Sequence, residues 1–246
     1  MGMRTNRPEG ELSIIQLLPN LLTVIAICAG LSAIRFGLAE RYELAVQLIL
    51  LAGILDGIDG RLARALGSDS QMGAELDSLA DFLNFGVAPV LVIYFWALQD
   101  MSSAAWLAVL IYTVCAVLRL ARFNVQKKSD EGDSGTFTGV PSPAGAVLVM
   151  LPMFLSFSVS DGRIMPPEVI SIYIVIVGLL MISPFPTPSF KKMTVSRGKV
   201  RFVILGVAFA GAAVLTYPWK SLVVLCLAYA ALVLWGLISR KRANSG

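Results

Sequence analysis

Long apolar stretches constrain the fold of this chain more than any other feature of its sequence. Eight of them run between charged or Pro- and Gly-rich breaks, and each is close to the roughly 20 residues that a helix needs to cross a bilayer. A soluble domain could not bury 246 residues that are 57% hydrophobic and 15% charged. We therefore predict an all-α fold, a polytopic membrane bundle of about eight transmembrane helices. The predicted spans are 15–36, 43–65, 74–98, 103–123, 142–159, 166–183, 202–217 and 220–239.

The basic residues are unevenly distributed between the two sides of such a bundle. With eight spans, 16 of the 20 Lys and Arg residues fall in the two tails and the even-numbered loops. Cytoplasmic segments of membrane proteins carry this excess of positive charge. We therefore predict a cytoplasmic tail at 1–14, six membrane helices at 15–183, a basic cytoplasmic loop at 184–201, and two further helices with a basic tail at 202–246. The expected location is the cytoplasmic membrane of a bacterium or archaeon.

Four aspartates lie close to the turn between the second and third predicted helices. Asp56 and Asp59 are three positions apart near the cytoplasmic end of the second helix, and Asp77 and Asp81 are four apart on the third. These spacings put each pair on one helical face. Because the chain turns back around 67–73, the two helices are antiparallel neighbours, and we expect the four carboxylates to converge.

Four like charges inside a bilayer repel one another unless something neutralises them. The chain has no histidine, and its three cysteines are isolated in apolar runs, so the spacing expected of a disulfide or zinc site is missing. Carboxylates are therefore the candidates for both metal binding and catalysis. Two divalent cations, Mg²⁺ or Mn²⁺, suit such ligands and promote displacement at phosphorus, which predicts a phosphate ester or anhydride as the substrate.

Small residues are interleaved with these acids and leave room for a nucleotide against the backbone. They are Gly57, Gly60, Ala63 and Gly73. Arg64 is suitably located to bind a phosphate of that nucleotide. A structural alternative is that the small residues serve helix packing and that Arg61 and Arg64 neutralise the acids. Two arginines do not balance four aspartates and Glu75, which favours the metal site.

Residues 56–81 resemble the signature of the CDP-alcohol phosphatidyltransferase family, D-x2-D-G-x2-A-R-x8-G-x3-D-x3-D. Its fixed positions are filled by Asp56, Asp59, Gly60, Ala63, Arg64, Gly73, Asp77 and Asp81. The resemblance implies a six-helix catalytic core that opens to the cytoplasm, usually in a homodimer. It implies that two metal ions are held by Asp56, Asp59, Asp77 and Asp81. In addition, Asp81 would act as the general base, and the cytidine diphosphate would be lined by Gly60, Ala63, Arg64 and Gly73.

Further segments resemble the phosphatidylserine synthase branch of this family. They are LPNLLT at 18–23, GAELDSLADFLNFGVAP at 73–89, LRLARFN at 118–124 and GVPSPAG at 139–145. In the first segment, Asn20 and Thr23 are expected either to bind the CDP-lipid or to hydrogen-bond between helices. Arg119, Arg122 and Ser142 are candidates for binding serine. Contacts with lipid phosphates and ordinary helix capping are the alternatives for these three.

The resemblance implies transfer of the phosphatidyl group from CDP-diacylglycerol to L-serine, which gives phosphatidylserine and CMP. The expected partners are these two substrates, membrane lipids and a second copy of the chain, with no nucleic acid. An alternative keeps the chemistry but uses glycerol 3-phosphate, inositol phosphate or choline as the acceptor. A rival of another class is an ion transporter, whose acids would be spread across the whole depth of the membrane.

Overall fold

The computed structural model describes residues 14–67, 70–101, 103–129, 139–159, 164–183, 205–206 and 211–243, and all regular secondary structure in these ranges is helical. The helices are α1 (Ile14–Leu38), α2 (Tyr42–Leu66), α3 (Gln71–Leu98), α4 (Ser103–Ser129), α5 (Ser142–Val149), α6 (Leu151–Val159), α7 (Pro167–Ile182) and α8 (Pro218–Ala243). The all-α prediction is confirmed. The predicted loop at 184–201, the predicted tail at 1–14 except its last residue, and residues 202–204 and 207–210 of the predicted span at 202–217 lie outside the described residues.

Within the described part of the chain, four helices are long and apolar enough to cross a membrane, namely α1, α3, α4 and α8. Helices α5 and α6 are bent by 41° relative to each other and together qualify as a fifth span. Large apolar side chains such as Leu21, Ile54 and Leu118 are exposed on the outside of the bundle, as expected for a surface that faces lipid. The chain is an integral membrane protein, and the total of eight spans stays a prediction.

The turn between α2 and α3 is built by local backbone chemistry. Helix α2 ends at Leu66 and is capped by Gly67, whose left-handed conformation (φ 58°) lets its N–H reach the carbonyls of Ala63 and Arg64. Ser70 then caps α3, because its Oγ accepts a hydrogen bond of 3.0 Å from the Gly73 N–H. The end of α2 and the start of α3 therefore lie side by side at one end of the bundle.

Helix α3 is not a regular α-helix along its length. It contains two π-helical segments, Phe82–Val87 and Tyr94–Leu98, which leave backbone carbonyls without their usual partners. Side chains from other helices donate to these carbonyls, from Tyr112 to Phe85 O (3.0 Å), from Thr113 to Gly86 O (3.3 Å) and from Tyr42 to Phe95 O (3.0 Å). The sequence predicts an uninterrupted span at 74–98, so the π-helical segments are an addition to that prediction.

Candidate active site

Three carboxylates from two helices meet at the α2–α3 turn. Asp56 and Asp59 lie on α2 and Asp77 lies on α3, and one carboxylate oxygen from each is within 4.8 Å of the other two. Asp59 is buried, whereas Asp56 and Asp77 are half-buried. The close approach follows from the antiparallel turn and from the spacing of the acids. This group of oxygens has the composition and size of a divalent cation site.

Asp81 lies next to this group but is not one of its three members. Its carboxyl group is in hydrogen-bonding contact with that of Asp56, and it is close enough to Asp77 and Arg119 to interact with their charges. Asp81 is on α3, one turn beyond Asp77, and Arg119 comes from α4. The four predicted aspartates therefore converge, with three in a compact group and the fourth in contact with Asp56 of that group and close to Arg119.

Two buried oxygen atoms indicate that the aspartate group fits a cation. Oδ1 of Asp56 and Oδ1 of Asp59 are buried and make no hydrogen bond with the described residues. The other oxygen of Asp59, Oδ2, accepts a hydrogen bond of 2.7 Å from Thr23 Oγ1. A buried carboxylate oxygen without a donor is costly unless a cation binds it. The residues present thus suit a divalent metal ion.

The residues predicted to bind the CDP-lipid occupy different environments. Thr23 is buried and donates to Asp59, so the hydrogen bond between helices is the alternative that the structure contains. Asn20 packs its side-chain oxygen against Gly73, where an added Cβ would lie only 2.8 Å from Asn20 Oδ1. By contrast, a Cβ added at Gly60 would meet no atom within 4 Å, and Arg64 is exposed. The open space therefore lies along α2 and not at Gly73.

The two predicted arginines of α4 have separate partners. Arg119 donates from Nε to Val140 O (2.7 Å) and from Nη1 to the Oγ of Ser142 (2.6 Å). Arg122 is exposed and donates to the carbonyl of Ile182 at the end of α7 (3.1 Å), where a cation is favourable. Only Arg119 is thus held beside Asp81, and Ser142 fixes the orientation of its guanidinium.

Sequence reasoning missed two further polar residues. Ser78 lies between Asp77 and Asp81 on α3, and its Oγ accepts a hydrogen bond of 3.1 Å from Asn124 of α4. Asn84 is fully buried, and neither atom of its amide has a hydrogen-bonding partner among the described residues. Ser78 and Asn84 lie in the segment 73–89, and Asn124 lies in the segment 118–124. Polar residues inside a predicted span are a signal of a functional role, and that signal was present in the sequence.

A family model described as CDP-alcohol phosphatidyltransferase matches residues 16–183. This match covers more than half of the chain. The chain belongs to the CDP-alcohol phosphatidyltransferase family. The residues that resemble the family signature, 56–81, lie on both sides of the α2–α3 turn described above. Because the family is one of transferases, the alternative of an ion transporter is not supported.

Relatives of this family member carry a more specific name. The chain is 40% identical over 231 residues to the CDP-diacylglycerol–serine O-phosphatidyltransferase of Mycobacterium leprae, covering 92% of this chain and 76% of that one. A protein of the same name from Bacillus subtilis is 36% identical over 71% of this chain and 92% of its own. A solved structure of a phosphatidylinositol phosphate synthase from Mycobacterium tuberculosis, in complex with manganese and citrate, shares 20% identity over 69% of this chain and 78% of its own, with a TM-score of 0.48.

Proposed function

We propose that this family member transfers the phosphatidyl group of CDP-diacylglycerol to L-serine, producing phosphatidylserine and CMP. The observation that carries the proposal is the convergence of Asp56, Asp59 and Asp77 beside Asp81, a constellation suited to displacement at phosphorus. The acceptor is suggested by relatives named CDP-diacylglycerol–serine O-phosphatidyltransferase in bacteria and in the archaeon Methanocaldococcus jannaschii. Family membership supports the CDP-linked donor.

The reaction needs one bond to form and one to break at the lipid-side phosphorus. The serine hydroxyl oxygen bonds to that phosphorus, the P–O bond to the CMP phosphate breaks, and CMP leaves with the bonding electrons. The hydroxyl proton must pass to a base, and we assign this role to the carboxylate of Asp81. Asp81 suits this role because it lies beside the three-carboxylate group without being part of it. Arg119 of α4, to which we assign the serine carboxylate below, is also close to Asp81.

We assign Asp56, Asp59 and Asp77 as ligands of a divalent cation, and propose that two ions, Mg²⁺ or Mn²⁺, bind in all, with Asp81 contributing to the second. When bound, the ions would neutralise the carboxylates and polarise the diphosphate. Thr23 holds one oxygen of Asp59 through a 2.7 Å hydrogen bond, which leaves the other oxygen available. Thr23 is thus proposed to orient a ligand and not to touch the CDP-lipid.

The nucleotide is proposed to lie along the end of α2. Gly60 is flanked by open space, Ala63 follows one turn later, and the exposed Arg64 is free to reach a phosphate. Gly73 and Asn20 pack against each other, so their proposed contribution is to bring α1 against the start of α3 and close one side of this space. Residues 15–183 are then the catalytic core.

The serine carboxylate is proposed to bind Arg119. Its guanidinium is held by Val140 and Ser142 at 2.7 and 2.6 Å, and this pre-organisation lowers the entropy lost on binding. Ser142 acts by orienting Arg119. The assignment of Arg122 to serine stays a prediction, since its guanidinium caps α7. The cytoplasmic orientation of the site and the homodimer also stay predictions.

The experiment is an acceptor panel with purified protein and CDP-diacylglycerol in detergent micelles containing Mn²⁺ or Mg²⁺. CMP release is followed with L-serine, glycerol 3-phosphate, inositol phosphate and choline, and the lipid product is identified by mass spectrometry. We expect serine alone to give rapid CMP release and a product of the mass of phosphatidylserine. Release with another alcohol and none with serine would refute the acceptor, while no release with any alcohol would refute the transferase.

A further inference from the structure

Helix α8 lies outside the segment that the family model matches, 16–183, yet it packs on the bent pair α5–α6. Trp219, near the start of α8, makes an edge-to-face contact with Phe157 of α6 at 4.9 Å between ring centroids. Two turns later, Cys226 Sγ lies 3.5 Å from the carbonyl oxygen of Val147 in α5. The helices are therefore antiparallel, and one further turn of α8 brings Tyr229 towards the start of α5, where Ser142 lies.

The side chain of Tyr229 ends in an unusual environment. Its hydroxyl oxygen is buried and has no hydrogen-bonding partner among the described residues, although a buried tyrosine hydroxyl usually has one. The hydroxyl is also close enough to Arg119 for the two groups to interact electrostatically. Two nitrogens of Arg119, Nε and Nη1, are engaged by Val140 and Ser142. The described residues give Nη2 no hydrogen bond.

We propose that Tyr229 is a specificity-determining residue that donates a hydrogen bond from its hydroxyl to the carboxylate of the acceptor bound by Arg119. The inference rests on the proposed function. A planar carboxylate offers two oxygens, and a guanidinium nitrogen with a neighbouring phenol offers a matching pair of donors. An alcohol without a carboxylate would leave the buried hydroxyl unpartnered, which disfavours its binding. The acceptor pocket thus extends beyond the family core to a helix that the family model does not match.

The test is Tyr229→Phe, with Tyr173→Phe as the matched control. The Tyr173 hydroxyl donates to the carbonyl of Leu148 at 2.7 Å and belongs to the same packed region of the bundle. Both changes remove one oxygen atom. Steady-state kinetics of CMP release with serine and with CDP-diacylglycerol, together with the Tm in detergent, are measured for both variants and the unmodified protein.

The two variants should behave in opposite ways. For Tyr229→Phe we expect the serine KM to rise about tenfold or more, with the KM for CDP-diacylglycerol and the Tm unchanged, because no internal hydrogen bond is lost. For Tyr173→Phe we expect a lower Tm and an unchanged serine KM. The inference is overturned if Tyr229→Phe leaves the serine KM within about twofold of the unmodified value, or if it raises both KM values equally. If the unmodified protein releases no CMP with serine, the proposed function fails and this inference fails with it.

Discussion

Glycines in two regions of the bundle have opposite surroundings. At Gly57 and Gly60, beside the aspartates of α2, an added Cβ would meet no atom within 4 Å. In the interior, a Cβ at Gly178 of α7 would lie 3.1 Å from the backbone Cα of Tyr112, and one at Gly30 of α1 would collide with Asn84 Oδ1. The interior glycines let helices approach closely, whereas Gly57 and Gly60 leave space that the described protein atoms do not fill.

This difference bears on the two explanations of Gly57 and Gly60, the small residues beside Asp56 and Asp59. If they served helix packing, an added methyl group would collide with a neighbouring helix, as it does at Gly178. The open space at Gly60 instead suits a ligand that lies against the backbone. The same region contains the unpartnered oxygens of Asp56 and Asp59. We therefore propose that the acid-bearing turn is organised around a bound ligand, and the interior around contacts between helices.

The largest effect should come from the acids of the open region. Asp56→Asn, Asp59→Asn and Asp77→Asn each remove a charge from one shared group, so we expect each to lower kcat for CMP release by roughly a thousandfold or more. When two of these substitutions are combined, the losses of kcat should not be additive. Glu43→Gln and Asp100→Asn are matched controls, because both acids are exposed and lie at the opposite ends of α2 and α3. Loss of activity in either control would contradict the localisation of the site.

Gly60→Ala should separate stability from activity. Alanine is more stable than glycine in a helix by roughly 0.5–1 kcal/mol, and no atom obstructs the new methyl group, so Tm should rise slightly. The kcat/KM for CDP-diacylglycerol should fall by about ten- to a hundredfold, because the methyl group displaces the bound nucleotide. Gly236→Ala on α8, also in open space, is the control and should keep full activity. Normal activity in Gly60→Ala would mean that the space is not used by the substrate.

Gly178→Ala should give the reverse pattern. The new methyl group presses on the backbone of α4 at Tyr112, and overpacking of this kind costs about 1–3 kcal/mol. We expect a lower Tm in detergent, with kcat and both KM values near normal at temperatures where the protein is folded. An unchanged Tm combined with lost activity would remove the distinction between the two regions.

Thr23→Val should have the smallest effect and tests what supports the open region. The change removes the hydrogen bond to Asp59 Oδ2, and we expect roughly a tenfold weaker apparent affinity for Mn²⁺ in the activity assay. Thr113→Val is the control, because Thr113 donates to a backbone carbonyl of the packed part of α3. It should leave the Mn²⁺ dependence unchanged. An equal change in both variants would mean that Thr23 acts through packing alone.

The acid cluster could be predicted from the sequence because short-range rules determine it. Spacings of three and four residues set the helical faces of Asp56, Asp59, Asp77 and Asp81, and the glycine-containing turn brings the two helices together. Apolar lengths were likewise enough to predict most helix positions. These features depend on residues that are close together in the sequence, so a single sequence is enough to predict them.

The remaining features depend on contacts between distant residues. The sequence left two possible partners for Thr23, the CDP-lipid and another helix. Its hydrogen bond to Asp59 joins residues that are 36 positions apart in the sequence. The π-helical segments of α3 depend on side chains from α2 and α4, so periodicity could not indicate them. Tyr229 gave no signal at all, since an isolated tyrosine in an apolar helix has no motif. Its position relative to Arg119 follows only from the packing of α8 on α5 and α6.

Binding of Mn²⁺ to the purified protein without substrate tests whether Asp56, Asp59 and Asp77 form a metal site. Electron paramagnetic resonance separates free from bound Mn²⁺, and we expect bound Mn²⁺ in the unmodified protein and in the Glu43→Gln and Asp100→Asn controls. Binding should be lost or weakened by at least about tenfold in Asp56→Asn, Asp59→Asn and Asp77→Asn. Asp81→Asn should keep the ion held by Asp56, Asp59 and Asp77, while binding of the second ion weakens and CMP release is lost, because Asp81 lies beside the three-carboxylate group. Mn²⁺ binding that is equal in the unmodified protein and the three ligand variants would show that these aspartates do not bind the metal.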